Sequence, residues 1–281
     1  MAALAALMAG VAAPGAAAAM MRAQRIVSLA PSVTETLFAL GAGAEVAGVS
    51  EYCDYPPEAR RLPRVGSFLT PNLEAIVALH PTVVIGLSLS SERRQVKALN
   101  SMGIETVLVS DHSLEEIYQS IATIGGHVGR RDEARALLAE IRARMNAVQA
   151  RIAQVAPVRT LMLVGHQPVV AVGPGTYLGE LIAIARGDNI ASRSGQAWPR
   201  LSIEYIIAMR PEVILDGQMG SEPGAPPGFW TKYATIPAVR EHRVYGYSHD
   251  PILHPGPRVW QSLEIIATRL HPRAMAAGPA P

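Results

Sequence analysis

The sequence predicts an α/β fold of two similar lobes with mostly parallel sheets, joined by a single long helix, with a cleft between the lobes. Three observations carry that prediction. Residues 74–85 read EAIVALHPTVVI and residues 204–215 read EYIIAMRPEVIL, so that Glu74 and Glu204, like Pro81 and Pro211, stand 130 residues apart. A unit repeated once at about half the chain length points to two related lobes, because a solenoid needs three or more short repeats. Short apolar runs alternate with helical segments of about ten residues, the grammar of parallel βαβ units. Finally, Ala134, Leu137, Leu138, Ile141, Met145, Val148, Ile152 and Val155 keep the 3,4 spacing of one helix face, between the two copies of the repeat.

The elements follow in order. The first twenty residues, MAALAALMAGVAAPGAAAAM, are uncharged, alanine-rich and end in small residues. They read as a secretory signal peptide over 1–20, although no Lys or Arg precedes the apolar run; a disordered alanine tail is the alternative. RIVSLA (25–30) fits a buried strand. SVTETLFAL (32–40) has helical spacing with Ser32 as N-cap, and Gly41 and Gly43 stop it. VAGVS (46–50) is a second strand, and the Pro-, Gly- and aromatic-rich stretch 51–72 is loop. A connection that long is uncommon unless it has a task. Helix 73–80 stops at Pro81, strand 83–87 follows, and helix 91–102 leads through Gly103 to strand 105–109.

The N-terminal lobe is thus expected over 25–125 and the connecting helix over 126–156. A stripe of some 25 residues would run roughly 37 Å, enough to cross a two-lobed molecule; a dimerising coiled coil is the alternative. In the C-terminal lobe, 157–281, strand 158–164, helix 178–185, helix 203–210 and strand 213–216 repeat the pattern. An irregular stretch, 217–230, leads to strand 243–247, the loop SHDPILHPGP and the closing helix 258–270.

Composition excludes several classes. Hydrophobic residues are 49% and charged residues 17%, ample for a core and unlike a disordered chain. Lys is nearly absent and Arg is scattered among acids, so the clustered cations of a nucleic-acid protein are missing. After the leader no run reaches the roughly 18 apolar residues of a membrane helix. Cys53 is the single cysteine, which rules out an intramolecular disulfide and leaves a buried thiol as its plain reading.

Candidate chemistry is sparse. No G-x-S-x-G, H-E-x-x-H, Walker or G-x-G-x-x-G element is present. Glu74 and Glu204 could form the carboxylate pair of a glycosidase-type enzyme. Each, however, opens the equivalent helix of its own lobe, where a carboxylate suits the positive helix end. Equivalent positions on two lobes present both acids on one outer face, matched to a two-fold partner. His166, His242, His249 and His254 lack metal-helix spacing. His249 and His254 share a loop with Asp250, a cluster that could bind a metal in a metal-dependent enzyme, although without a third spaced ligand the signal is weak. Aromatics are only 5% of the chain, yet Tyr52, Tyr55, Phe68, Trp198, Phe229 and Trp230 all fall in irregular loops. Flat rings on loops facing a cleft suit a large planar ligand, with local loop packing the alternative for each.

The same residues carry a family resemblance. S-E-Y-C-D-Y-P-P (50–57), V-G-S-F (65–68), N-L-E-A-I-V-A-L-H-P (72–81) and W-P-R-L-S-I-E (198–204) closely resemble periplasmic substrate-binding proteins of ABC importers. The class is the one that takes up cobalamin, ferric siderophores and haem. Y-x-D-Y-P-P and the W-P pair are most similar to its cobalamin-binding members, and the similarity covers 25–270. The resemblance implies lobes that hinge little, no catalysis, and a corrinoid of cobalamin type as cargo, with haem or a ferric siderophore as alternatives. It implies that Tyr52, Phe68 and Trp198 line the cleft and that Asp250 contacts the ligand. Glu74 and Glu204 would each dock on arginines of the transmembrane permease. Phe68 stands where those members carry Trp, Leu87 replaces a further aromatic, and His254 lies where an arginine is expected. A histidine facing the cleft is a ligand type for cobalt or iron. The expectation is an exported, periplasmic, monomeric carrier with no cofactor of its own, since the metal-tetrapyrrole is cargo.

Overall fold

Buried apolar strands build the first half. β1 (Ile26–Ser28), α1 (Pro31–Ala39), β2 (Val46–Val49), α2 (Leu73–Ala78), β3 (Val83–Leu87), α3 (Arg93–Ser101) and β4 (Glu105–Val109) alternate along the chain. The computed structural model describes residues 24–67, 70–88, 93–217, 228–247 and 251–277; residues 1–20, expected to be a signal peptide, lie outside them. The four strands are parallel in the order β2-β1-β3-β4. A parallel sheet is covered on both faces, which is why its strands read as continuous apolar runs. Ile26 and Ile85 face one core, while Val27 and Val84 face another with Ile76 of α2 and Leu99 of α3.

The start of α1 departs from expectation. Its N-cap is Ala30, Pro31 occupies the first turn, and Ser32 is buried inside the helix. Proline is favoured there because its missing N–H would have been an unpaired donor anyway.

Two helices then separate the sheets: α4 (Leu114–His127) and α5 (Arg131–Arg151). α4 was not expected, because Gly125, Gly126 and Gly129 make its end read as loop. Its start is well specified: Ser113 Oγ accepts from the Glu116 amide at 3.2 Å, and Glu116 Oε2 accepts from the His112 amide at 2.9 Å. α5 buries Ala134, Ile141, Met145 and Val148 and packs against α4 and the helix Val259–Leu270, so the stripe is covered within the chain.

The second half comprises β5 (Val158–His166), β6 (Val169–Ala171), α6 (Tyr177–Ile184), β7 (Gly187–Asn189), α7 (Ile203–Met209), β8 (Val213–Gly217), α8 (Pro237–Arg240), β9 (Val244–Tyr247), α9 (Val259–Leu270) and α10 (Pro272–Ala276). Its sheet runs β6-β5-β8-β9, with β7 parallel to the start of β5 and β6 antiparallel to its end. Sequence periodicity does not reveal β6, β7, α8 and α10, which are five residues or shorter.

The sequence repeat is a structural repeat. Asn72 Oδ1 accepts from the Ala75 amide at 3.0 Å to cap α2, and Ser202 Oγ accepts from the Tyr205 amide at 3.2 Å to cap α7. His80 (φ 48°) and Arg210 (φ 50°) both take the left-handed conformation immediately before Pro81 and Pro211. The burial patterns of 71–80 and 201–210 differ at one position only, Val77 against Ile207.

One apolar core runs from β1 through α4 and α5 to α9 and α10. Two polar junctions reinforce it. Tyr177 N donates to His112 O at 2.6 Å and Leu114 N to Glu180 Oε2 at 3.0 Å; elsewhere Glu35 of α1 meets His254 and Arg258, 219 and 223 residues away. Among the described residues no helix is long and apolar enough to cross a membrane.

Candidate ligand cleft and docking surface

An apolar pocket of about 270 Å³ is lined by Val164, Tyr177, Leu178, Trp198, Gly217 and Leu253. Val164 and Gly217 come from the C-terminal ends of β5 and β8, where parallel α/β sheets present their crevices. Tyr177 and Leu178 open α6, and Thr176 caps that helix by accepting from Gly179 N at 3.0 Å. The Tyr177 hydroxyl donates to Ile252 O at 2.7 Å, which fixes the short turn carrying Leu253.

Trp198 is held outward by backbone bonds on both sides. Gly173 N donates to Ala197 O at 2.8 Å, and Ala171 N donates to Pro199 O at 2.9 Å. The loop approaches Gly173 so closely that a Cβ there would overlap the Gln196 carbonyl oxygen. With its neighbours pinned, the Trp198 ring stays 45% exposed. Buried packing is the usual fate of an aromatic ring, so Trp198 leaves an unusually large apolar face open.

Tyr52 is presented by a similar device. Arg64 Nη1 donates to Ser50 O at 2.8 Å and Cys53 O at 3.1 Å, and its Nη2 lies 3.3 Å from Asp54 Oδ1. Cys53 packs inward beside Ser50 Oγ, and burial pushes its thiol pKa up. The turn therefore buries Cys53 and leaves Tyr52 57% exposed and Tyr55 46% exposed. Phe229 and Trp230, by contrast, pack into the second half's core, where Trp230 Nε1 donates to Asp216 Oδ2 at 2.6 Å.

His254 is half-buried, with Nδ1 3.2 Å from Glu35 Oε1. A histidine oriented by a carboxylate on one nitrogen is the arrangement that metal-ligating histidines use. His166 also has an acid partner, its Nε2 2.8 Å from Asp216 Oδ1. Burial raises the Asp216 carboxyl pKa, opposed by Trp230 and His166. Burial likewise raises Asp111, at the end of β4, to about 6. Among the described residues no group of three or more His, Cys, Asp or Glu could hold a metal ion. Phe68, His249 and Asp250 lie outside the described residues.

Glu74 and Glu204 occupy the same position in α2 and α7, and both are exposed. The Glu204 carboxyl is held below its usual range by its own backbone amide and by the Ser202 hydroxyl. The site residues the sequence did not reveal are Glu35, Arg258, Arg64 and the His166–Asp216 pair, of which Glu35 and Arg258 join the two halves. Only proximity in space assembles them.

The description "Periplasmic binding protein" matches residues 26–251. The vitamin B12-binding protein of Vibrio cholerae is 28% identical over 248 residues, covering 88% of this chain and 89% of that one. The apo periplasmic haem-binding protein of Roseiflexus sp. RS-1 superposes with a TM-score of 0.80 at 30% identity, covering 90% of this chain and 99% of that chain. The periplasmic vitamin B12-binding protein of Vibrio cholerae superposes with a TM-score of 0.74 at 27% identity, covering 88% and 96%. The α/β architecture and the matched span agree: this chain belongs to the periplasmic binding protein family, as a non-enzymatic carrier.

Proposed function

We propose that this chain is an exported substrate-binding protein that captures a corrinoid of cobalamin type and delivers it to an ABC import permease. The observation that carries the reading is the pair of exposed rings, Tyr52 and Trp198, each held out by bonds on the backbone of neighbouring residues rather than by burial. The pocket beside Trp198, about 270 Å³, is smaller than ligand sites usually are, which run from roughly 300 Å³ upward. A large planar guest would therefore rest on the rings rather than sink between them. The vitamin B12-binding relatives add support. The continuous apolar core opposes wide hinging, because a large hydrophobic interface restrains domain motion. Glu74 and Glu204, equivalent and exposed, would meet basic residues on a two-fold permease and fix its register.

A haem-carrying reading has one specific observation in its favour: His254 has a carboxylate on Nδ1, leaving Nε2 as a metal ligand. The haem-binding structure at 30% identity is consistent with it. Titration with cyanocobalamin, cobinamide and haemin, followed by absorbance and calorimetry, separates the readings. The corrinoid reading expects saturable binding of cyanocobalamin that survives His254→Ala. Binding of haemin alone, lost in His254→Ala, would move the assignment to haem, and binding of none of the three would remove it.

A further inference from the structure

We infer that Arg258 is a positioning residue for the cleft: it sets where the Tyr52 wall stands by gripping Glu35 and Tyr55 at once. The inference rests on the corrinoid-binding reading and asks which group outside the cleft shapes it. Arg258 Nε donates to Glu35 Oε2 at 2.7 Å and Nη2 to Glu35 Oε1 at 2.5 Å. Such a fork-to-fork pair fixes the guanidinium plane as well as its charge. That plane lies over the Tyr55 ring, 3.9 Å from guanidinium carbon to centroid, which is stacking distance.

The three partners belong to different parts of the fold. Glu35 is buried on α1 against the first sheet. Arg258 heads α9, which packs on α5 and α6. Tyr55 sits on the turn that carries Tyr52, and its side chain is half-exposed. Arg64 ties the inner side of that turn, and the Arg258 stack ties the outer side. A line of contacts thus runs from the frame of the second half through Arg258 to the aromatic wall of the first. His254 also touches Glu35, so the buried acid keeps one partner when Arg258 is changed.

Lysine at 258 keeps the charge but loses both the fork and the plane. In the full chain, Arg258→Lys and Tyr55→Leu should each speed ligand-free hydrogen exchange at the Cys53 and Asp54 amides. Each should weaken cyanocobalamin binding about five- to tenfold, the equivalent of one partly exposed cation–π stack. The double variant should lose no more than the worse single variant, because both changes remove one contact. Tyr55→Leu alters an exposed ring, so it stays informative if Arg258→Lys folds poorly. Unchanged exchange and affinity in a folded variant, or losses that multiply in the double variant, overturn the inference. The two readings fail separately. A wild-type chain that binds no corrinoid sinks the functional reading, while the exchange rates still decide whether Arg258 holds the turn.

Discussion

Replacing Trp198 by alanine removes the largest exposed ring of the cleft and leaves the carbonyls of Ala197 and Pro199 in their bonds. The ring is 45% exposed, so of roughly 250 Å² of tryptophan surface about 110 Å² is open to a guest. At about 25 cal/mol per Å², covering it is worth nearly 3 kcal/mol. Alanine recovers part of that and ordering the bound groups costs part, leaving about 2 kcal/mol, or roughly 30-fold in Kd. Because the exposed ring contributes little to the core, thermal unfolding should move by no more than about 2 °C. Calorimetric titration of wild type and Trp198→Ala with cyanocobalamin measures the difference. A folded variant whose Kd stays within about twofold of wild type would mean that the exposed ring has no guest.

Gly173→Ala puts a Cβ against the Gln196 carbonyl, so the loop must shift at about 1–3 kcal/mol; melting several degrees lower and weakened corrinoid binding are expected, and unchanged values would show the approach is not constraining. Glu74→Lys with Glu204→Lys should leave corrinoid Kd unchanged, because both side chains are exposed at the ends of α2 and α7, while uptake by permease-containing vesicles falls roughly tenfold or more. Asp111, raised from 3.8 to about 6 by burial, keeps a proton in the native chain between about pH 4 and 6 that the unfolded chain has released. Stability should therefore fall as pH rises through that window, by up to about 3 kcal/mol, and Asp111→Asn should flatten the slope. Urea unfolding from pH 4 to 7 tests this, and an equal slope in the variant counts against it.

The fold was largely legible because its signals are local. The segments 74–85 and 204–215 each encode a short helix, a proline stop and a buried strand, all within reach of pattern reading; the Asn72 and Ser202 caps and the left-handed His80 and Arg210 emerge only in the structure. The stripe of α5 was legible for the same reason, since a buried helix face needs its period. α4 has a stripe of its own, Leu114, Ile117, Ile121 and Ile124, but its glycines and its closeness to α5 masked it. The site was less legible. Tyr52 and Trp198 could be named from their loops and motifs, yet nothing local says that Arg64 and Gly173 hold them out. Glu35 sits in a helix whose sequence, SVTETLFAL, suggests an ordinary exposed acid. It is instead buried on Arg258, 223 residues away. His166 and Asp216 meet only because β5 and β8 are neighbours in the sheet. Such pairings are set by topology, and a linear pattern carries no trace of them.

The decisive measurement is titration calorimetry of the chain with cyanocobalamin at two temperatures. One site per chain is expected, with a negative heat-capacity change as apolar ring surface is covered. No measurable heat, or binding untouched when Tyr52 and Trp198 are both replaced by alanine, would contradict a corrinoid held on those rings.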